Sequence, residues 1–242
     1  MGAVGGPGGH NGGVGLALFD LDNTLVDRQR AFVGWAEAFA ARHGLDDGAV
    51  GWICSVDGDG HASREAVFTA VREHFGLRAP VHELIEEYRR AYPSHYRPEP
   101  AVLGALADLR ADGWAVGVVT NGPPTQREKV ERTGLSPLVD ACCISEELGV
   151  AKPDPRIFAE AARRCGFERA SVMVGDTAVP DVAGGQAAGL ATVWLDRGRR
   201  WEEVGFAPDV VVADVIEAIR LLVTGTWPLD RPPAGRPERS RR

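Results

Sequence analysis

Two carboxylates stand two residues apart in Phe19-Asp20-Leu21-Asp22-Asn23-Thr24-Leu25-Val26. In extended chain such residues point the same way, so Asp20 and Asp22 are expected to face one site. Carboxylates facing together repel unless a cation or a proton lies between them. Further along, Val174-Gly175-Asp176-Thr177-Ala178-Val179-Pro180-Asp181 sets one acid at the end of an apolar run and a second five residues on. Asp20, Asp22 and Asp176 are hard oxygen donors of the kind magnesium takes, usually one or two carboxylates with waters and a substrate phosphate. Thr120-Asn121-Gly122 adds a hydroxyl and backbone N–H groups just before a helix, which is an anion cradle, and Thr125 with Glu128 predicts a capping box for that helix. In Lys152-Pro153-Asp154-Pro155, Asp154 is a natural cap and Pro155 a natural first residue, so Lys152 is held beside a helix start. The chain has two lysines, Lys129 and Lys152, against 25 arginines. A lysine at that place therefore reads as chosen for its compact point charge. Metal plus phosphate is the chemistry these groups suit.

The elements that must position them follow from hydrophobic patterning. Strand-length apolar runs are expected at Gly15–Asp20, Trp114–Thr120, Asp140–Ile144, Ser171–Gly175, Ala191–Leu195 and Val210–Val212. Their near-continuous hydrophobicity suits strands covered on both faces. Helical spacing lies between them: Val102, Leu103, Leu106 and Leu109 share one face, and Ile157, Phe158, Ala161, Ala162 and Cys165 another. The alternation predicts an α/β fold, a doubly wound, Rossmann-like parallel sheet. In open sheets of this kind ligands bind beyond the carboxyl ends of the strands, where the acids, Thr120 and Lys152 fall. The interval 27–98 breaks the pattern with helical stripes (Phe32, Trp35, Ala36, Phe39; Val67, Val71, Phe75; Leu84, Ile85, Tyr88) and predicts an inserted all-helical domain, its return marked by Pro93, Pro98 and Pro100.

Composition excludes several classes. With 242 residues, 44% of them hydrophobic, the chain can bury a large core without disulfides. A formal net charge of -7 argues against nucleic acid as a partner. Cys54, Cys142, Cys143 and Cys165 form no C-x-x-C pair, so neither a disulfide scaffold nor a zinc ribbon is indicated and a reducing, cytosolic setting is expected. Eight of the first fifteen residues are glycine, which predicts a flexible leader over 1–14 and not a targeting signal. No stretch approaches a membrane span. Residues 223–242, rich in proline and arginine, are expected to be a disordered tail.

The ordered set D-x-D-x-T-L-V, T-N, K-P and G-D-x-x-x-x-D resembles the haloacid dehalogenase superfamily over about residues 15–222, and the helical insert resembles that superfamily's small cap, as in its phosphoglycolate-phosphatase-like and nucleotidase-like members. The resemblance implies a catalytic core of 15–26 and 99–222 with a cap of 27–98. It implies that Asp20 attacks phosphorus and becomes an aspartyl phosphate, and that Asp22 is the general acid and then the base. Magnesium would be held by Asp20, the Asp22 main-chain carbonyl and Asp176, while Asp181 positions Lys152 or a metal-bound water. Thr120, with backbone groups at Leu21, Asn121 and Gly122, would hold phosphoryl oxygens, and Lys152 would balance the charge of nucleophile and transferring group. The substrate implied is a small phosphorylated metabolite, acted on by a monomer or homodimer.

Plainer readings stand beside these. Asp20 and Asp22 could form an Asx-capped turn, Thr120-Asn121-Gly122 an ordinary turn, Lys152 a solvated loop lysine and Asp176 a helix cap. Asp181 could simply favour a helix N-terminus. Asp57-Gly58-Asp59-Gly60-His61 has a calcium-loop look, but its glycine falls two positions early and the twelfth residue is Phe68, so that reading fails. A turn or a substrate-facing loop remains for it. Arg28 and Arg30 are substrate-contact candidates or else surface charges. A phosphomutase shares the chemistry of a phosphatase. A non-catalytic phospho-ligand binding or signalling protein is the alternative from another class, and a metal-free dehalogenase fits poorly because Asp22 is present.

Overall fold

The computed structural model describes residues 14–60, 62–168 and 170–226. The expected leader, apart from residue 14, the end of the expected tail and His61 lie outside them. The described residues fall into two compact units: Val26–Pro98, and the described parts of Met1–Leu25 with Glu99–Arg242.

Six strands build the second of these, the core unit: β1 (Gly15–Phe19), β2 (Trp114–Thr120), β3 (Ala141–Ile144), β4 (Val172–Gly175), β5 (Ala191–Leu195) and β6 (Val210–Val212). All pair in parallel, in the order β3-β2-β1-β4-β5-β6. Leu16, Leu18, Val116, Val118, Val172 and Val174 are buried because helices must cover a parallel sheet on both faces. Those helices are α5 (Pro100–Ala111), α6 (Gln126–Arg132), α7 (Ser145–Leu148), α8 (Pro155–Arg164), α9 (Gly184–Ala187) and α10 (Val215–Thr224), numbered after four in the other unit. Strand order reverses at β1, with β2 on one side and β4 on the other, which opens a crevice at the carboxyl ends of those strands.

Local chemistry explains most boundaries. Asp154 caps α8, its Oδ1 accepting the Arg156 N–H at 2.9 Å, with Pro155 in the first turn. The expected capping box at α6 does not form: Thr125 sits at the cap position with helical dihedrals and makes no side-chain cap bond, and Glu128 pairs with Arg132 one turn on. A residue already helical points its hydroxyl away from the N–H groups it would have to meet. Residues 223 and 224, expected in the tail, continue α10 until Gly225 ends it in the left-handed conformation (φ 65°). Among the described residues no helix is long and apolar enough to cross a membrane.

The other unit is helical: α1 (Arg28–His43), α2 (Ala49–Asp57), α3 (Arg64–His74) and α4 (Val81–Ala91). Trp35 anchors it, edge-on to Tyr88 at 4.9 Å and to Phe68 at 5.6 Å. Phe68 takes the inward place expected of Phe75, which lies at the end of α3 and packs on Trp52.

Candidate active site

β1 stops at Phe19, and the Asp20 N–H reaches across to the Val174 carbonyl of β4 at 2.9 Å. Asp20 is thereby fixed at the reversal of strand order. Its carboxylate is buried and accepts a bond from Lys152 Nζ at 2.6 Å; the same ammonium donates to Asp181 Oδ1 at 2.7 Å. Lys152 itself is held by its backbone, since the Asn121 side chain accepts from Lys152 N and donates to Lys152 O, both at 2.9 Å. Asp181 projects from a turn of π-helix, Ala178–Ala183, the kind of irregular helix found often at functional sites. Its second oxygen accepts from the Thr177 N–H at 2.9 Å and the Thr177 hydroxyl at 2.6 Å. Gly175 makes room: a Cβ there would run into the Asp181 carboxylate.

Asp176 completes the cluster from the end of β4. Oxygens of Asp20, Asp176 and Asp181 lie within 4.8 Å of one another, all three residues buried. Arg199 and Arg197 approach Asp176 Oδ2 at 3.3 and 3.5 Å, and the Asp176 carbonyl accepts from Arg199 Nη2 and from Trp194 Nε1. Burial, with Asp181 and Asp176 nearby, pushes the Asp20 carboxyl up to about 7 against the opposing pull of Lys152. Burial alone would lower the Lys152 ammonium, but Asp181 and Asp20 outweigh it and hold the lysine charged well above its ordinary range. Three oxygen donors at this spacing, without histidine or thiolate, fit a hard divalent cation.

The Asp22 carboxylate does not join that cluster. Beyond Asp22 the chain turns, with Leu25 N–H bonded to the Leu21 carbonyl at 2.9 Å and Asn23 at φ 63°. Asp22 instead accepts from Lys129 Nζ through Oδ1 at 2.8 Å and Oδ2 at 2.6 Å. Gln126 Nε2 donates to Asp22 Oδ2 at 2.9 Å and to the buried Thr120 Oγ1 at 2.8 Å. Gly122 N–H, expected to face an anion, donates to Ser145 Oγ at 2.9 Å. Gln126, Lys129, Ser145 and the Asp176-facing arginines were not read as site residues from the sequence. One signal was there for Lys129, as the second of two lysines.

Arg28 is not a surface charge. It is buried within the helical unit and donates through Nη2 to both oxygens of Asp57, at 3.0 and 2.8 Å; Arg64 shares Asp57 Oδ1 at 2.5 Å. One guanidinium nitrogen thus spans both oxygens of a buried acid, a charge-assisted contact. Arg30 is exposed on the first turn of α1, where its N–H is capped by Asp27 at 2.8 Å. An open cleft of about 340 Å³ lined by Arg127, Val139, Cys142 and Arg164, among others, shares no residue with the acidic cluster.

Comparison with known proteins accords with this geometry. The chain is 35% identical over 217 residues to pyrimidine 5'-nucleotidase YjjG of Escherichia coli (strain K12), spanning 85% of this chain and 96% of that one. It is 40% identical over 162 residues to a phosphoserine phosphatase of Thermus thermophilus, spanning 64% and 63%. Among solved structures, the magnesium-bound putative hydrolase YfnB of Bacillus subtilis shares the fold with a TM-score of 0.72 at 21% identity, over 86% of this chain and 97% of that one. The model of the haloacid dehalogenase-like hydrolases matches residues 14–189, and this chain belongs to that family as a phosphatase-type hydrolase.

Proposed function

We propose that the protein is a magnesium-dependent phosphatase that hydrolyses a small phosphomonoester through an aspartyl phosphate on Asp20. One observation carries this reading: Asp20 lies buried at the reversal of strand order, bonded to Lys152 at 2.6 Å and beside Asp176 and Asp181. Magnesium, held by Asp20, Asp176, Asp181 and the Asp22 main-chain carbonyl, would supply the positive charge that keeps these acids ionised and offsets that of the phosphoryl group. An Asp20 carboxylate oxygen attacks phosphorus and the ester P–O bond breaks. The leaving oxygen takes its proton from Asp22. A water then attacks the aspartyl phosphate and gives its proton to Asp22, releasing phosphate and restoring the Asp20 carboxylate. Lys152 stays protonated throughout and holds the Asp20 carboxylate, with Asp181 holding Lys152. The Thr120 hydroxyl orients a phosphoryl oxygen.

The relatives support the substrate class. Those named above act, by their names, on a nucleotide and on phosphoserine; others are named for glyceraldehyde 3-phosphate and N-acetylmuramic acid 6-phosphate, all small phosphomonoesters. The four cysteines are free thiols, which suits a reducing, cytosolic setting.

Phosphate release across nucleoside monophosphates, phosphoserine and sugar phosphates, with magnesium and with chelator, tests the reading. Turnover is expected with magnesium only, and Asp20→Asn should lower it by about 10³-fold or more. Equal turnover by Asp20→Asn would overturn the nucleophile assignment.

A further inference from the structure

We infer that Lys129 and Gln126 are positioning residues for Asp22, aiming its carboxylate during proton transfer; this rests on the reading of Asp22 as the general acid and base. Both project from α6, three residues apart and so on one helix face, more than 100 residues from Asp22 in the chain. Lys129 is buried and its single ammonium spans both Asp22 oxygens. Gln126 is buried too, and its one amide nitrogen ties Asp22 Oδ2 to Thr120 Oγ1. The acid and the hydroxyl assigned to the phosphoryl group are thus fixed by one side chain. Gly122, at φ 150°, lets the Gln126 stem pass close, since a Cβ there would come within 3.1 Å of Gln126 Cγ.

The choice of lysine is informative. A guanidinium would grip a carboxylate through a planar fork, whereas an ammonium holds it as a point charge on a flexible stem. Asp22 must exchange its partner for the leaving oxygen and then for a water. A point contact lets the carboxylate pivot, and the Gln126 bond to Thr120 sets the direction of the pivot. Neither residue is assigned a contact with substrate.

The test compares kcat/KM for phenyl phosphate and p-nitrophenyl phosphate, two substrates of similar shape whose leaving groups differ in their need for a proton. Asp22→Asn should favour the nitrophenyl ester by a large factor. Lys129→Met should shift the ratio the same way, by about tenfold, with Lys129→Arg restoring part of it. Gln126→Leu, which keeps Lys129, should give a smaller shift and serves if Lys129→Met fails to fold. On an Asp22→Asn background neither substitution should add a further shift. A folded Lys129→Met protein with the wild-type ratio overturns the inference, as does full additivity with Asp22→Asn. If Asp22→Asn itself leaves the ratio unchanged, the acid–base reading of Asp22 fails and the inference falls with it; if wild-type turnover does not depend on Asp20, the aspartyl-phosphate reading fails first.

Discussion

In the helical unit the buried acid Asp57 is gripped by two arginines, Arg28 through one nitrogen that spans both carboxylate oxygens and Arg64 through one nitrogen on Oδ1. At the strand ends of the core unit Asp20 and Asp22 each meet a lysine, and these are the two lysines of a chain that holds 25 arginines. The guanidinium pair sits over aromatic faces, Arg28 over Phe32 at 5.3 Å and Arg64 over Tyr88 at 5.3 Å, so its geometry is locked from several sides. The lysines hold acids that, in the proposed reaction, have to accept and release other partners. Among Asp57, Asp20 and Asp22 the structural acid is held by arginines and the two acids of the proposed reaction by lysines, while Asp176 faces Arg197 and Arg199.

Substitutions at each pair can break that distinction. The largest effect is expected from Lys152→Met, which leaves Asp20 and Asp181 buried without their shared cation. Turnover should fall by about 10²–10³-fold or more, and calorimetry should show a loss of about 3–5 kcal/mol in stability. Arg28→Met should cost stability on the same scale of about 3–5 kcal/mol by stranding part of Asp57, read as a lowered Tm. Arg28→Lys should recover little of it, because one ammonium cannot replace a planar group whose Nη2 meets Asp57 while its Nη1 lies 3.7 Å from Asp59 and its face covers Phe32. An Arg28→Lys protein as stable as wild type would remove the reason given for arginine there.

Two glycines sharpen the contrast. Gly175→Ala pushes on Asp181, and steady-state kinetics should show a fall in kcat of about tenfold, with Tm changed by a few degrees at most. Gly60 lies at φ 90°, and a Cβ there would meet the Arg28 guanidinium at 2.7 Å. Gly60→Ala should therefore lower stability by about 1–2 kcal/mol in denaturant unfolding.

A separate effect is one of pH. The Asp20 carboxyl is raised from 3.8 to about 7 on folding, so between those values the folded protein binds the proton more tightly than the unfolded chain. In chelator, this group's contribution to stability is full below about pH 4 and is lost as pH rises through about 7. Asp20→Asn should remove that slope, and Tm measured from pH 4 to 8 should drop less than in wild type.

Much of this was legible in the sequence. All six strands fall where apolar runs of strand length predict them, within a residue at each end, because a parallel strand covered on both faces has little freedom in composition. The placement of Asp20, Thr120 and Asp176 at strand ends follows from those runs, whereas Lys152 lies in the loop between α7 and α8. The readings that failed depended on direction and not on position. Thr125 stands at the start of α6 but with helical dihedrals, Phe75 follows the stripe of α3 but lies beyond its last turn, and Arg28 sits beside the first motif but turns into its own helical unit.

What the sequence determined by itself was the order of elements and the chemical types delivered at their ends, because hydrophobic period and turn residues act over a few neighbours. Only the tertiary structure decided which cation meets which acid. Lys129 and Asp22 are separated by 107 residues, and Lys152 and Asp20 by 132. Ion pairing acts over a few ångströms and carries no mark in the chain of which distant residue lies within reach, so the partners emerge once the sheet has set β1, β2 and β4 side by side.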